Sequence, residues 1–350
     1  MKQALTFDDV ALVPVYNNVA SRTEPSLRTH LSSNVEMRVP IVASNMDTVI
    51  CPDLAKVCQD VGSVPIFHRF AKFEEKVKWL NEFPGAFMSC GIRIGDVVEI
   101  DKLIDETPLG GVCFDIAHGH DSRLLDTIYK LKLAYPELEV IAGNVCTADG
   151  YRDLVNAGAT AVKVGIGPGA ACTTRMVTGF GVPQFTAIQD VAAAKKRLYV
   201  PIIADGGIRN SADIVKALAA GADSVMLGKL FALTNESAAP KRQPTKREGN
   251  VDVGFRAVAS GPVEAKYRGQ ASSDFQEEFF GATKDGTVPE GEAFWAPVSG
   301  PAVDVFQKLL AGVRSGMTYG GARTIEELQR KAEFVQVTGN YHAESNPRPT

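Results

Sequence analysis

Cys172 stands at the end of a glycine-rich loop, in the stretch Lys163-Val-Gly-Ile-Gly-Pro-Gly-Ala-Ala-Cys172-Thr173-Thr174-Arg175. A thiol delivered by such a loop can be held at a pocket rim, where its ionisation and nucleophilicity are tunable. Gly165, Gly167 and Gly169 suit a backbone that turns tightly or leaves amides and carbonyls open to a ligand. The same spacing also fits a plain turn with a small apolar cysteine packed behind it. Three further segments bring chemistry to the ends of apolar runs: Phe114-Asp115-Ile-Ala-His118-Gly119-His120-Asp121, Ala204-Asp205-Gly206-Gly207 and Leu227-Gly228-Lys229. Each also reads as ordinary strand-to-helix turn chemistry when taken alone.

Something must carry these ends to one place. Short apolar runs cover Ile41 to Ala43, Ser63 to Phe67, Ala86 to Gly91, Gly111 to Ile116, Val140 to Val145, Ala161 to Ile166, Ile202 to Ala204 and Ser224 to Leu227. Amphipathic segments alternate with them, among them Asp53 to Asp60, Phe73 to Glu82, Ser122 to Tyr135, Ala148 to Ala157, Ala187 to Lys196 and Ser211 to Ala220. Eight such runs separated by helices predict an α/β fold, a (β/α)8 TIM barrel whose active face lies at the carboxyl ends of the strands. There the turns after the seventh and eighth strands commonly bind a phosphate through backbone amides. A doubly wound open sheet is the competing architecture, and no Gly-x-Gly-x-x-Gly follows the first strand to support it.

Beyond Phe231 the alternation stops. Asn235 to Asp252 is polar, and Gly269 to Pro297 is rich in glycine, serine and acids with little periodicity. We expect residues 235–299 to form a long flap inserted after the eighth strand, closing over the barrel mouth, with a passive linker as the alternative. Val303 to Val313 and Thr324 to Phe334 return to a globular pattern, and 340–350 is expected to fray. The whole chain, 1–350, is read as one catalytic domain.

Hydrophobic content of 45% and charged content of 22% belong to a globular chain with ample core. A net charge of −4 gives no general attraction for nucleic acid or anionic membranes, so any phosphate site must be local. No apolar run is long enough to span a bilayer, and the acidic amino terminus does not resemble a signal peptide. The six cysteines include no Cys-x-x-Cys pair, which argues against zinc and for reduced thiols in a cytoplasmic protein.

Taken together, the motifs resemble the inosine-monophosphate dehydrogenase and GMP reductase family over nearly the whole chain. The stretches that carry the resemblance include Leu5-Thr-Phe-Asp-Asp-Val, Ala43-Ser-Asn-Met-Asp47-Thr-Val, Ala142-Gly-Asn-Val145, the cysteine loop, Thr178-Gly-Phe-Gly-Val-Pro-Gln184, Ile203-Ala-Asp205-Gly-Gly-Ile, Lys266-Tyr267-Arg-Gly269 and Arg314-Ser-Gly-Met-Thr-Tyr-Gly-Gly321. The resemblance implies a barrel, usually a homotetramer, that acts on a purine nucleotide monophosphate with a nicotinamide cofactor. It makes Cys172 the nucleophile that attacks carbon 2 of the purine, with Thr174 as a helper. Asp205 would hold the ribose hydroxyls of the substrate. Gly207, Gly228 and Tyr267 would contact its phosphate, Gly206 and Gly269 would also bind the substrate, and Ser44 and Met46 would line the nucleotide pocket. Asp115, His118 and Gly165 would meet the cofactor. Carbonyls of Gly167, Gly169 and Cys172 would hold a monovalent cation, expected to be potassium. Lys229 departs from the small residue usual after Gly228, and either adds a charged phosphate contact or points to solvent.

Family members run in two directions. By family pattern the dehydrogenase uses an Arg-Tyr pair on the flap to activate water, and no such pair occurs in the flap here. In the corresponding region, Ser272-Ser-Asp274-Phe-Gln-Glu277-Glu278-Phe279-Phe280, a carboxylate beside phenylalanine resembles the reductase pattern. Asp274 would then handle protons with Thr174; it also reads as a solvated loop acid, and a slip of one residue would put Ser273 in its place. The inserted regulatory domains usual in the dehydrogenase are missing. Met176-Val177-Thr178, Val182-Pro183-Gln184 and Val288-Pro-Glu-Gly291 look more like the dehydrogenase. The balance predicts a GMP reductase, using NADPH to convert GMP to IMP and ammonia. An IMP dehydrogenase using NAD is the alternative, and a non-catalytic purine nucleotide sensor is a lesser one.

Overall fold

Eight parallel strands run side by side in a nearly closed barrel with helices outside it. The structure, a computed structural model, describes residues 1–250, 254–283, 286 and 288–346. The strands are β1 (Ile41–Ala43), β2 (Ile66–Phe67), β3 (Phe87–Cys90), β4 (Gly111–Asp115), β5 (Glu139–Val145), β6 (Ala161–Val164), β7 (Ile202–Asp205) and β8 (Ser224–Leu227). They pair in the order 1-8-7-6-5-4-3-2. Val225 pairs with Ile41, which joins the last strand to the first. At the seam between β1 and β2, the Ser63 hydroxyl donates to the Ile41 carbonyl at 2.6 Å. The predicted barrel is the fold observed, and each apolar run marked in the sequence overlaps one of its strands.

Helices α1 (Pro52–Val61), α2 (Phe73–Glu82), α3 (Ile94–Glu106), α4 (Ser122–Ala134), α5 (Ala148–Ala157), α6 (Gln184–Leu198), α7 (Ser211–Ala219) and α8 (Ala302–Tyr319) cover the outside. Their starts are fixed by local chemistry. Asp121, Thr147 and Asn210 accept from backbone amides in the first turns of α4, α5 and α7, and Pro52 opens α1. α8 packs on α7 and α1, so the last barrel helix arrives only after the long insertion.

Two apolar layers follow from the strand period of two. One faces the helices. The other fills the barrel with Val42, Ile66, Phe87, Cys113, Ile141, Ala161, Ile203 and Met226. Leu31 and Met37, from an amino-terminal hairpin of Thr29–Ser32 and Val35–Met37, join that inner layer. The floor of the barrel is therefore dry, and chemistry is confined to the other end.

The insertion has more regular structure than its composition suggests. Lys241–Arg242, Glu264–Arg268 and Ala293–Pro297 form a three-stranded antiparallel sheet, Thr245–Asn250 pairs with Gly254–Ala259, and Ser273–Phe280 is a helix. Residues 251–253, 284, 285 and 287 of the expected flap lie outside the described residues. The expected fraying from 340 gives way to a helix, Asn340–Ser345, and 347–350 lie outside the described residues.

Candidate active site

Immediately above the dry layer the barrel interior turns polar, because the next inward positions on the strands are Ser89, Asp115, Lys163 and Asp205. Lys163 is 1% exposed. Its ammonium lies 2.7 Å from Asp115 Oδ1 and 3.2 Å from Asp205 Oδ2. Burial works against the ammonium, but the two carboxylates outweigh it and hold the lysine above its ordinary value. Burial likewise pushes the Asp115 carboxyl up, and Lys163 more than offsets this, leaving Asp115 below the usual carboxylate range. Asp115 therefore ends its strand as a fixed acceptor. Asn45 Nδ2 donates to Asp115 Oδ2 at 3.0 Å and to Ser89 Oγ at 2.7 Å. Asn144 Nδ2 donates to Asp205 Oδ2 at 2.9 Å and to the Gly165 carbonyl at 2.8 Å.

A cleft of about 700 Å³ opens over this layer. Cys172 lines it and is half-buried, with its thiol donating to Thr174 Oγ1 at 3.2 Å. The structure places the thiol of the glycine loop at the cleft and not packed behind the turn. The loop is stitched to the insertion by main-chain bonds: Thr173 N to Glu290 O at 3.0 Å and Glu292 N to Ala171 O at 2.9 Å. Arg175 is occupied with structure, donating to the carbonyls of Ile166 and Val182.

Ser44, Met46, Gly206, Gly207, Gly228, Lys229, Tyr267 and Gly269 also line the cleft. A Cβ on Gly228 would come within 2.6 Å of the Tyr267 hydroxyl, so only glycine lets the phenol lie over the turn after β8. Burial pushes the Tyr267 phenol up, so the hydroxyl remains a donor, and it reaches Met46 Sδ at 3.7 Å. The ammonium of Lys229 lies 5.3 Å from the Phe294 ring centroid.

Two expected site residues are not among those that line the cleft. His118 is exposed on the loop after β4, its ring 6.4 Å from that of His120. Asp274 lies in the first turn of the Ser273–Phe280 helix, where it pairs with Lys266 and lies 3.6 Å from Arg268. Those cations hold its carboxyl below the usual range, Lys266 foremost. It is an anchor of the insertion, and its expected proton-handling role has no support from its position.

Conversely, Lys163, Asn45, Asn144, Gln184, Arg69 and Glu290 line the cleft although the motifs alone assign them no role. Lys163 carried a readable signal, since a lysine inside the apolar run Ala161-Val-Lys-Val must find a counter-charge. The amide residues carried none, because their partners are distant in sequence.

Barrel and cleft together place a half-buried cysteine and two strand-end acids at the carboxyl-end mouth. Residues 4–348 match the IMP dehydrogenase / GMP reductase domain, and the chain belongs to that family. It is an NAD(P)-dependent oxidoreductase of purine nucleotides. The chain is 37% identical to inosine-5'-monophosphate dehydrogenase of Borreliella burgdorferi, with 99% of this chain and 97% of that protein covered. It is 34% identical to the protein of that name from Cryptosporidium parvum, over 98% of this chain and 94% of the relative. The Aquifex aeolicus protein of the same name is 48% identical, but over only 67% of this chain and 46% of its own length. All these relatives carry the dehydrogenase name, which overturns the expectation of a GMP reductase and removes the reason for expecting NADPH. The missing inserted domains do not discriminate either, since a relative matched over 97% of its length bears that name.

Proposed function

We propose that the chain is an IMP dehydrogenase, converting IMP, NAD+ and water to XMP, NADH and a proton. The observation that carries this reading is Cys172, half-buried at the barrel mouth in one cleft with Asp205 and Gly228. The direction of the reaction is supported by the name of the relative that matches end to end.

In this reading the ribose hydroxyls of IMP donate to Asp205, and the phosphate meets the Gly207 and Gly228 turns and the Tyr267 hydroxyl. Ser44 and Met46 border the base. The Cys172 thiolate adds to carbon 2, forming a carbon–sulfur bond and splitting one hard step into two. NAD+, when bound, takes the hydride from carbon 2. Asp115, an ionised acceptor at the end of β4, suits a ribose of that cofactor. Water then attacks carbon 2, the carbon–sulfur bond breaks, and Cys172 is released.

Hydrolysis needs a group that takes a proton from water. The flap lacks the Arg-Tyr pair, and the carboxylates lining the cleft are Asp8, Asp115, Asp205 and Glu290. Arg209 engages Asp8, and Lys163 engages Asp115 and Asp205. Of these four, Glu290 is the one that no basic side chain among the described residues pairs, and it is tied through its carbonyl to the residue after Cys172. We assign the role to Glu290.

Carbonyls of Gly167, Gly169 and Cys172 are oxygen donors of the kind a monovalent cation takes. That of Gly169 also accepts from Cys172 N at 3.1 Å, so an ion there would order the same turn that holds the thiol. A homotetramer in the cytoplasm completes the family reading; the six free cysteines are compatible with that location, and light scattering tests the assembly.

Incubation with IMP and NAD+ should raise absorbance in the reduced-nicotinamide band and yield XMP. No signal with IMP and NAD+, together with oxidation of NADPH by GMP, would overturn the proposal. Silence in both assays would leave a nucleotide-binding barrel without this chemistry, and would overturn it as well.

A further inference from the structure

Lys163 is an expensive residue to place where it is. The barrel layer beneath it is filled by apolar side chains, and an isolated ammonium in such surroundings is strongly unfavourable. A packing role would be served by another Val or Ile. The fold also makes room for it specifically. Asp115 lies on β4, two strands away from β6, so the lysine must cross β5 to reach it. The residue opposite Asp115 on β5 is Gly143, and a Cβ there would come within 2.7 Å of the Lys163 Cβ and carbonyl oxygen. Glycine at 143 thus leaves the path open.

We infer that Lys163 is a positioning residue shared by the two ligand-binding carboxylates, so that one buried ammonium sets the affinity for both the nucleotide and the nicotinamide cofactor. The inference rests on the reading of Asp205 as the nucleotide-ribose acid and Asp115 as the cofactor-ribose acid. Lys163 takes Asp115 Oδ1 and Asp205 Oδ2, while Asn45 and Asn144 take Asp115 Oδ2 and Asp205 Oδ2. This holds Asp115 through both oxygens and Asp205 through Oδ2, and leaves Asp205 Oδ1 for a ligand hydroxyl. It also holds the group of three at a net charge of −1 instead of −2, which matters because both ligands bring phosphates.

The test is the affinity for IMP and for NAD+, each measured alone by calorimetry between pH 6 and pH 8.5. The comparison includes the wild type, Lys163→Met, Lys163→Arg, Lys163→Met with Asp115→Asn, and the single controls Asp115→Asn and Asp205→Asn. In Lys163→Met the two acids face each other without a cation, so one takes up a proton and loses it as pH rises. Other charged or titratable groups near them are Arg69 and Cys113 beside Asp115, and Tyr267 beside Asp205. The expected result is weaker binding of both ligands by about 10- to 100-fold at pH 8, easing toward pH 6. Lys163→Arg should recover most of the loss. Adding Asp115→Asn to Lys163→Met should restore IMP affinity and flatten its pH profile without restoring NAD+. Should Lys163→Met fail to fold, Lys163→Gln carries the same comparison. A lower melting temperature with both affinities unchanged, or loss of only one ligand, overturns the inference. If Asp115→Asn and Asp205→Asn also leave affinity unchanged, the ribose reading falls and the inference with it. If they weaken binding and Lys163→Met does not, the inference alone falls.

Discussion

The barrel mouth and the insertion that covers it hold their charged groups by different means. At the mouth, Lys163, Asp115 and Asp205 are set by strand register, each two residues above an apolar partner on its own strand. In the insertion, Arg268 is buried by side chains it brings together itself: Asp47 after β1, and Asp274 and Glu278 on the Ser273–Phe280 helix. Phe275 and Phe279 complete that contact, with ring centroids 4.6 and 5.4 Å from Phe70 after β2. The difference teaches that this site has a rigid half, built by backbone periodicity, and a docked half, built by a few long-range contacts. Asp115, Lys163 and Asp205 belong to the first and Glu290 to the second, while the Cys172 loop leaves a barrel strand and is bonded to the insertion.

The largest effect should come from the reacting sulfur. Cys172→Ala is expected to lower turnover by at least about 1,000-fold while IMP binding, measured by calorimetry, changes little. Retained turnover would remove the covalent step. Glu290→Gln addresses the docked half and should be milder, about 10- to 1,000-fold in steady-state rate. Its signature lies in timing. A rapid first turnover of NADH formation should persist while later turnovers slow, because hydride transfer precedes the step that needs the carboxylate. Loss of the burst along with the steady rate would place Glu290 elsewhere in the mechanism.

The same division explains what could be read from the sequence. Short runs such as Ile41–Ala43 and Ser224–Leu227 coincide with strands because parallel strands buried on both faces are continuously apolar. Helix α3, Ile94–Glu106, is not among the predicted helices. Ile94 and Val98 lie on it at 86% and 49% exposure, which blurs its apolar stripe. The insertion reads as featureless because its strands are two to six residues long and its helix has eight. Phe275 and Phe279 have meaning only against Phe70, some two hundred residues earlier. Asp274 reads as a catalytic acid because it adjoins a phenylalanine, and nothing local marks Lys266 and Arg268 as its partners.

Arg268 offers the sharpest test of the docked half. Arg268 Nη2 is 2.5 Å from Asp47 Oδ2, and both side chains are nearly inaccessible. Arg268→Ala would strand a buried carboxylate and should cost about 3 kcal/mol in denaturant unfolding. Adding Asp47→Asn removes that charge and should recover part of the loss. If the insertion is docked by these contacts, limited proteolysis between 235 and 299 should also quicken in the single variant, with cuts in the barrel unchanged. Equal stability of the single and double variants would show that the pair is not coupled.

An effect confined to acid pH concerns His68, which lies under the same aromatic contact. Its ring is 8% exposed, 5.5 Å from that of Trp79 and 6.1 Å from that of Phe70, and Nδ1 accepts from Phe70 N at 3.2 Å. Burial, with a smaller contribution from Lys76, lowers the imidazole from its ordinary 6.5 to about 4. Above pH 6.5 the ring is neutral in the folded and unfolded chain alike, and no stability is at stake. Between 6.5 and 4 the unfolded chain takes up a proton that the folded one refuses, so stability is lost as pH falls. The loss reaches about 3 kcal/mol near pH 4. His68→Gln keeps an acceptor for Phe70 N without a titrating ring, so its unfolding free energy should fall less than the wild type's between pH 7 and pH 4.5. Parallel pH curves for the two proteins would mean that the pocket opens and hydrates before the ring charges, and the packing under Phe70 would then belong to the docked half of the molecule, not the rigid one.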